Sequence, residues 1–442
     1  MKNFPFLVFI LAIAVLGFIA GGLITLNQVF PYRFLYQANL AGHALFKQKT
    51  RYSDPYHTDL WKRARNAEKG VVVYDPGKAD NGYTLYSSAH AQNVFLIDMH
   101  GRVVHEWHMQ YASFWDGSAE VKHPVPPSNM FITRAYLYPN GDLLALYIGV
   151  GDTPWGYGLV KMDRNSHLLW KYLAHTHHDL DVGPDGRVYV LTQAIVDTPI
   201  TRFTQLKPPW IEDYVSILSP HGKLLQKIPL TPALLDSEYG RLFASLPWFS
   251  VTGTGDFLHT NAIQVITPGE AANFHHGRAG DLLISFRELN TIAVLDPDQG
   301  KIVWALHGPW IGQHDPDLLP NGNIIVFDNN GRFGPGGRSR VVEFNPDTLA
   351  TVWSYHGDAA HFFQSGIRGG EQRLANGDTL ITEEQAGALL EVTPGGDVVW
   401  KFVNPERRGP ANEYIPIVSV ATRITPDWLA PDFRRSLAPE YK

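Results

Sequence analysis

The chain has 442 residues, 44% hydrophobic and 18% charged, with a net charge of −6, 12 Trp, 19 Tyr and no Cys. That balance excludes wholesale disorder and leaves no basic field for a nucleic-acid backbone. The missing Cys removes disulfides, zinc–thiolate sites, iron–sulfur clusters and thiol nucleophiles.

The first element is an apolar run from Phe4 to Leu26, with no charge between Lys2 and Arg33. As a helix it reaches about 35 Å, enough to cross a bilayer core. Residues 1–30 are therefore expected to be a transmembrane anchor or signal-anchor. A cleaved signal peptide is the rival, with a small-residue site at Ala20-Gly21-Gly22. The short N-terminal flank favours the main domain outside the cytoplasmic membrane, in the periplasm. Residues 31–67 read as a neck, with Tyr32, Phe34 and Tyr36 at headgroup level and Trp61 to Arg65 on a solvated helix face.

Residues 68–405 are repetitive. One unit is a β run, a tight turn, a second β run and Trp: Val94 to Trp107, Leu159 to Trp170, Ile292 to Trp304, Val341 to Trp353 and Leu389 to Trp400, with a degenerate copy from Tyr214 to Gly222. Between them sits a second hairpin signal, at Asn140-Gly141, Asp185-Gly186, Gly280-Asp281, Asn321-Gly322 and Asn376-Gly377. Asn-Gly and Asp-Gly between apolar runs are strong two-residue turns, because both central residues take positive φ. A sixth such hairpin is expected at the start, around Asp80-Asn81-Gly82 within Val71 to Ser87. Two hairpins per unit and six units predict an all-β chain, a six-bladed β-propeller behind one N-terminal transmembrane helix. The displaced hairpin would close the ring, and residues 406–442 would be a C-terminal extension.

In a propeller the innermost strand of each blade lines the central channel, and here it precedes the Asn-Gly turn. His178 and His314 each lie eight residues before that glycine, and His259 opens another inner strand with Asn261 two residues on. Arg287 ends the partner strand of that blade, so His178, His259, His314, Asn261 and Arg287 are expected at one channel mouth. Asp179 and Asp315 follow two of the histidines and would tie down backbone between blades. Glu371 sits at the Asn261-like offset of a further blade. Three His could hold a metal with open positions, and His175 and His177 cluster beside His178. An Arg beside them favours an oxyanion instead.

These residues resemble the bacterial arylsulfate sulfotransferase family, six-bladed propellers independent of phosphoadenosine phosphosulfate. The matching pieces are His178-Asp179, His259-Thr260-Asn261-Ala262-Ile263, Ser285-Phe286-Arg287, Gln313-His314 and Phe327-Asp328-Asn329. The resemblance implies a ping-pong transfer without a cofactor. His314 would attack an aryl sulfate to give a sulfohistidine, which a phenolic acceptor then discharges. Arg287 and Asn261 would hold sulfate oxygens. His259 and His178 would bind the sulfuryl group, one of them serving as general acid and base. The chain departs from the family by an insertion from Thr267 to Ala279, carrying His275 and His276, which would bear on substrate choice. Trp115, Trp155, Trp210, Trp248 and Trp310 could stack on an aromatic substrate or pack between blades. Two other readings stay open: a His-ligated metal-dependent hydrolase or lyase on the same propeller, and a non-catalytic envelope scaffold. The oligomeric state is not specified.

Overall fold

The alternating apolar runs form six antiparallel sheets of four strands, the last extended by a fifth. The computed structural model describes residues 4–27, 29–32, 34–36, 38, 56, 58–203, 206, 208–246, 255–334, 336–359 and 361–437. It divides into two units, residues 1–58 and 59–442. The first contains helix α1, Phe4–Asn27, which has no charged residue and no buried one. It is long and apolar enough to cross a membrane, and a signal sequence shares those features. Tyr32 and Tyr36 stack at 5.7 Å beyond it, and Phe34 is exposed.

The second unit is a six-bladed β-propeller. From the inner strand outward, the second blade is Met130–Leu137, Leu143–Gly149, Gly156–Met162 and Leu168–Tyr172. The third is Thr176–Val182, Val188–Val196, Trp210–Leu218 and Leu224–Pro229. The fourth is Thr260–Val265, Leu282–Phe286, Thr291–Asp296 and Lys301–His307. The fifth is His314–Leu318, Ile324–Asp328, Arg340–Phe344 and Thr351–His356. The sixth is Gly370–Arg373, Thr379–Glu383, Ala388–Val392 and Val398–Val403. Middle strands such as Leu143–Gly149 and Ile324–Asp328 are buried throughout, because neighbouring blades cover both faces. Outer strands such as Thr351–His356 face solvent and carry the polar positions.

Ring closure differs from the sequence expectation. Val71 to Ser87 does not form a hairpin. Gly70–Tyr74 instead adds to the outer edge of the sixth blade, with Val71 opposite Phe402. Tyr83–Ser87 becomes the second strand of the first blade, followed by Asn93–Ile97 and Val103–His108. Its inner strand is Thr422–Ile424, so the propeller extends past residue 405 into the segment read as an extension. The Asp80-Asn81-Gly82 turn serves the crossing between these blades: Asn81 bonds Tyr74 Oη at 2.6 Å and the carbonyls of Pro76 and Ala79. Trp61–Arg63 is likewise a strand rather than a helix, paired with Tyr414–Pro416 and burying Trp61.

Each inner strand has one edge paired in its blade and one edge open to the axis. The open N–H groups need partners. Side chains of the preceding blade supply them: Asp179 Oδ2 accepts from Ile263 N at 2.9 Å and Asp181 Oδ2 from Val265 N at 2.7 Å. Gln264 Oε1 accepts from Leu318 N and Gln372 Oε1 from Arg423 N, both at 2.7 Å. Asp315 does the same for the Glu371 backbone. The expected backbone-tying role of Asp179 and Asp315 is therefore what the geometry shows.

Arg423, on the closing strand, pairs with Glu391 at 2.9 Å, both fully buried. Its Nε donates to Thr84 Oγ1 and Nη1 to the Asp80 carbonyl. Removing one member leaves a buried charge without its partner. Arg423→Met is expected to cost about 3–5 kcal/mol, and adding Glu391→Leu to recover much of it. Urea unfolding of the two variants checks this.

Candidate active site

Inner strands start at one rim and end at the hairpin turns of the other. At the starting rim, the strands bulge. Register shifts lie between Thr176 and Leu180, Thr260 and Ala262, and His314 and Asp317. His178, His259 and Asp315 take positive φ of 53°, 48° and 50° there. Such residues are strained in L-amino acids and re-aim neighbouring side chains. Three adjacent blades thus turn polar side chains toward one place.

His178, Asn261 and His314 line a small common cavity of about 30 Å³ with Thr133, Arg134, Asp179, Asp315, Arg368 and Glu384. The His259 ring packs edge-on against His178 at 4.8 Å. Arg287 runs beside Gly312, where an added Cβ would lie 3.8 Å from Nε, and its charge acts on His314. Arg287 Nη1 pairs with Glu288, and its buried Nε has no partner. All five expected residues therefore gather at this rim, three lining the cavity and two flanking it.

His314 is held in one tautomer. Its Nδ1 contacts Gly312 O at 3.0 Å and Asn329 Oδ1 at 2.8 Å. A backbone carbonyl only accepts, so Nδ1 carries the proton and Nε2 keeps its lone pair. The Asn329 amide is fixed in turn by donating to the Ser365 and Arg368 carbonyls. Burial, and next the Arg287 charge, push the imidazole pKa down to about 3, so the ring is neutral.

His259 is oriented by Asp256, with Nδ1 to Oδ2 at 2.5 Å. Burial raises the Asp256 pKa, but His259 and its hydrogen bond outweigh this and hold the carboxyl low. His178 Nδ1 lies 2.7 Å from His177 Nδ1. Burial and then the neighbouring His259 charge drive His178 well below the usual imidazole range. Asn261 Nδ2 donates to Gln313 O at 2.7 Å, while Oδ1 is buried without a partner. On the opposite wall Arg134 bridges Asp179 at 2.8 Å and Asp315 at 3.4 Å. Arg368 Nε stands 3.6 Å from Glu384, whose carboxyl burial pushes up to about 8. Among the described residues, no group of three His, Asp or Glu side chains is placed to hold a metal ion.

Residues 134–405 match the sequence pattern of the arylsulfotransferase (ASST) family. The chain belongs to the arylsulfotransferase family. No curated protein matches it. Solved structures similar to this chain include a protein of unknown function from Bacteroides caccae, 13% identical with TM-score 0.47 over 77% of this chain and 98% of that one. A streptogramin B lyase is 11% identical with TM-score 0.41, covering 78% of this chain and 88% of its own. A virginiamycin B lyase from Staphylococcus aureus with quinupristin is 10% identical with TM-score 0.40, covering 81% and 98%.

The structure sorts the remaining candidates. Trp155 meets the rings of His177, His178 and His259 at 6.0, 5.8 and 5.4 Å. Trp210 and Trp310 are packing residues, buried against Phe257 and Phe344, and Trp248 lies outside the described residues. Trp115 is a partly exposed loop residue bonded to Val121 O. The insertion from Thr267 to Ala279 joins Val265 to Leu282, at the end of the blade opposite Thr260 and Phe286. It is thus a full strand length from the cavity and does not shape it. His276 there stacks on Trp304 and bonds Asp347. Glu371 is buried with both carboxyl oxygens unpartnered, and it does not line the cavity.

Sequence reasoning missed Arg134, Asp213, Asp256 and Arg368, because each reaches the site from a loop or strand whose place is set by blade packing. Asn329 was visible only as part of a family motif.

Burial, then the Asp315 and Asp317 charges, raise the Glu371 pKa well above the usual range. A raised folded-state pKa gives stability that is present at low pH and lost as pH rises. Glu371→Gln removes that loss. Its stability relative to the parent is expected to grow between pH 5 and pH 8, by at most about 1.4 kcal/mol per pH unit. Denaturant melts at the two pH values test it. For His314, 15N shifts should show a ring neutral and Nδ1-protonated from pH 8 down to pH 5, as its pKa of about 3 requires.

Proposed function

We propose that the protein transfers a sulfuryl group from an aryl sulfate ester to a phenolic acceptor by a ping-pong route through a sulfohistidine on His314. The observation that carries this reading is the locked tautomer: Nδ1 of His314 is spent on Gly312 and Asn329, leaving an unprotonated Nε2 on a cavity-lining ring. A neutral imidazole with a free lone pair is a competent nucleophile at neutral pH.

Attack by Nε2 on sulfur breaks the bond to the aryl oxygen. Negative charge grows on that oxygen and persists on the sulfuryl oxygens. Arg287, with its unpartnered Nε, and Asn261, through its second amide hydrogen, are suited to hold those oxygens. His259 and His178 contact the group in flight, and one exchanges protons with the phenol. Trp155 offers an aromatic face beside them for the aryl ring. The substrates in this reading are an aryl sulfate donor and a phenolic acceptor, with no cofactor. The apolar helix would hold the propeller on the outer side of the cytoplasmic membrane, in the periplasm.

The test is release of a coloured phenolate from an aryl sulfate, with phenol as acceptor and a chelator present. Acceptor-dependent release is expected, with His314→Ala losing at least about 10³-fold. Activity surviving in that variant would place the nucleophile elsewhere. Loss of activity to the chelator alone would favour the His-ligated metal enzyme.

A further inference from the structure

Behind His178 lies a line of buried groups that the transfer step above does not use. His177 is 1% exposed and its Nδ1 sits 2.7 Å from His178 Nδ1. On the other side of the same ring, Nε2 lies 3.5 Å from Asp213 Oδ1. Both atoms are buried and neither makes a hydrogen bond, so they face each other unbonded across that 3.5 Å. Asp213 Oδ2 accepts from Thr260 N at 2.7 Å. Three groups therefore run in series from the cavity wall into the third blade.

Two imidazole nitrogens at hydrogen-bond distance share one proton, so one ring donates and the other accepts. The direction follows from Asp213. Burial, and next the charge of Asp256, raise its pKa well above the carboxylate range. As a carboxylic acid it offers its proton to His177 Nε2. His177 then carries its own proton on Nδ1 and donates to His178 Nδ1. His178 is left with its proton on Nε2. The groups facing this line are Asp256, His259 and His175 on His177, Asp256 and Glu212 on Asp213, and His259, His314 and Arg368 on His178.

We propose that Asp213 and His177 form a buried proton relay that makes His178 the general acid for the leaving phenol and then the general base for the acceptor. The proposal rests on the sulfuryl-transfer reading. In the donor half, the lone pair of His314 Nε2 forms the N–S bond and the S–O(aryl) pair leaves with the phenol oxygen. That oxygen takes the proton from His178 Nε2. His177 passes its Nδ1 proton to His178 Nδ1, and Asp213 passes its proton to His177 Nε2. The relay ends with a carboxylate on Asp213, held by Thr260 N, and a bare Nε2 on His178. In the acceptor half the incoming phenol gives its proton to that Nε2 and its oxygen takes the sulfur. The N–S pair returns to His314, and each proton steps back, restoring the Asp213 acid. Asp213 and His177 are positioning residues, since neither touches substrate. His259 keeps its own partner, Asp256, and stands outside the line.

Asp213→Asn preserves size and can still donate to His177, but it has no acidic proton to give up. With the full-length protein, the slope of log kcat/KM against leaving-phenol pKa is expected to steepen. The loss should be about 10²-fold for unsubstituted phenyl sulfate and much smaller for 4-nitrophenyl sulfate, whose phenolate leaves without a proton. KM should change little. A uniform loss across leaving groups, or none, would overturn the relay. A second measurement does not depend on turnover or on the variant folding. The 15N shifts of the wild-type protein should show His178 protonated on Nε2, and finding the proton on Nδ1 would overturn the proposal. If no aryl sulfate is turned over by the wild-type protein while His178 shows the Nε2 proton, the sulfuryl-transfer reading fails and, with it, the catalytic role of the relay.

Discussion

The unpaired axial edge of each inner strand is the constraint on which this propeller depends. Six strands point a row of backbone N–H groups at one channel, and burial there without partners is costly. The chain meets the demand with side chains of the neighbouring blade: Asp179, Asp181, Gln264, Asp315 and Gln372. Carboxylates are brought to the axis for a structural reason, and Arg134 is brought there to balance two of them. The walls of the cavity are thus by-products of ring closure.

The same constraint explains why the histidines can stay neutral. Asp179 and Asp315 already serve backbone and Arg134, so they do not pull protons onto the rings. Burial then dominates at His177, His178 and His314 and holds each pKa down. Only His259 has a carboxylate of its own, Asp256, close enough to fix its tautomer. Four imidazoles at one rim are given different partners: a carbonyl and an amide at His314, each other at His177 and His178, and a carboxylate at His259. Their chemical roles diverge because their hydrogen-bond partners do.

Strain sits where the chemistry is proposed. Left-handed backbone at His178, His259 and Asp315 coincides with the bulges that interrupt the inner strands. A regular strand would alternate these side chains between the axis and the blade interior. The bulges break that alternation and allow consecutive residues such as His177 and His178 to meet nitrogen to nitrogen. The short contact between His177 and His178 follows from that irregularity and is absent from a regular pleat.

Local pattern alone determined a good deal here. Period-two runs and Asn-Gly turns specify hairpins, six units specify six blades, and the uncharged run from Phe4 specifies an exposed apolar helix. His178 and His314 were legible because equal offsets from the turn glycine place residues at one rim, and His259, Asn261 and Arg287 because they open or end paired strands of one blade. Ring closure was not legible. Whether Val71 pairs with its neighbour or with Phe402, and whether Thr422–Ile424 fills an inner strand, depends on which edges remain open once all blades have formed. Asp213, Asp256, Arg134 and Arg368 were hidden for a related reason. Sequence spacing reports side chains on one element, whereas Asp213, Arg134 and Arg368 come from other strands or loops, and Asp256, three residues before His259, sits in a loop without a turn or strand signal, so packing sets which atoms meet there.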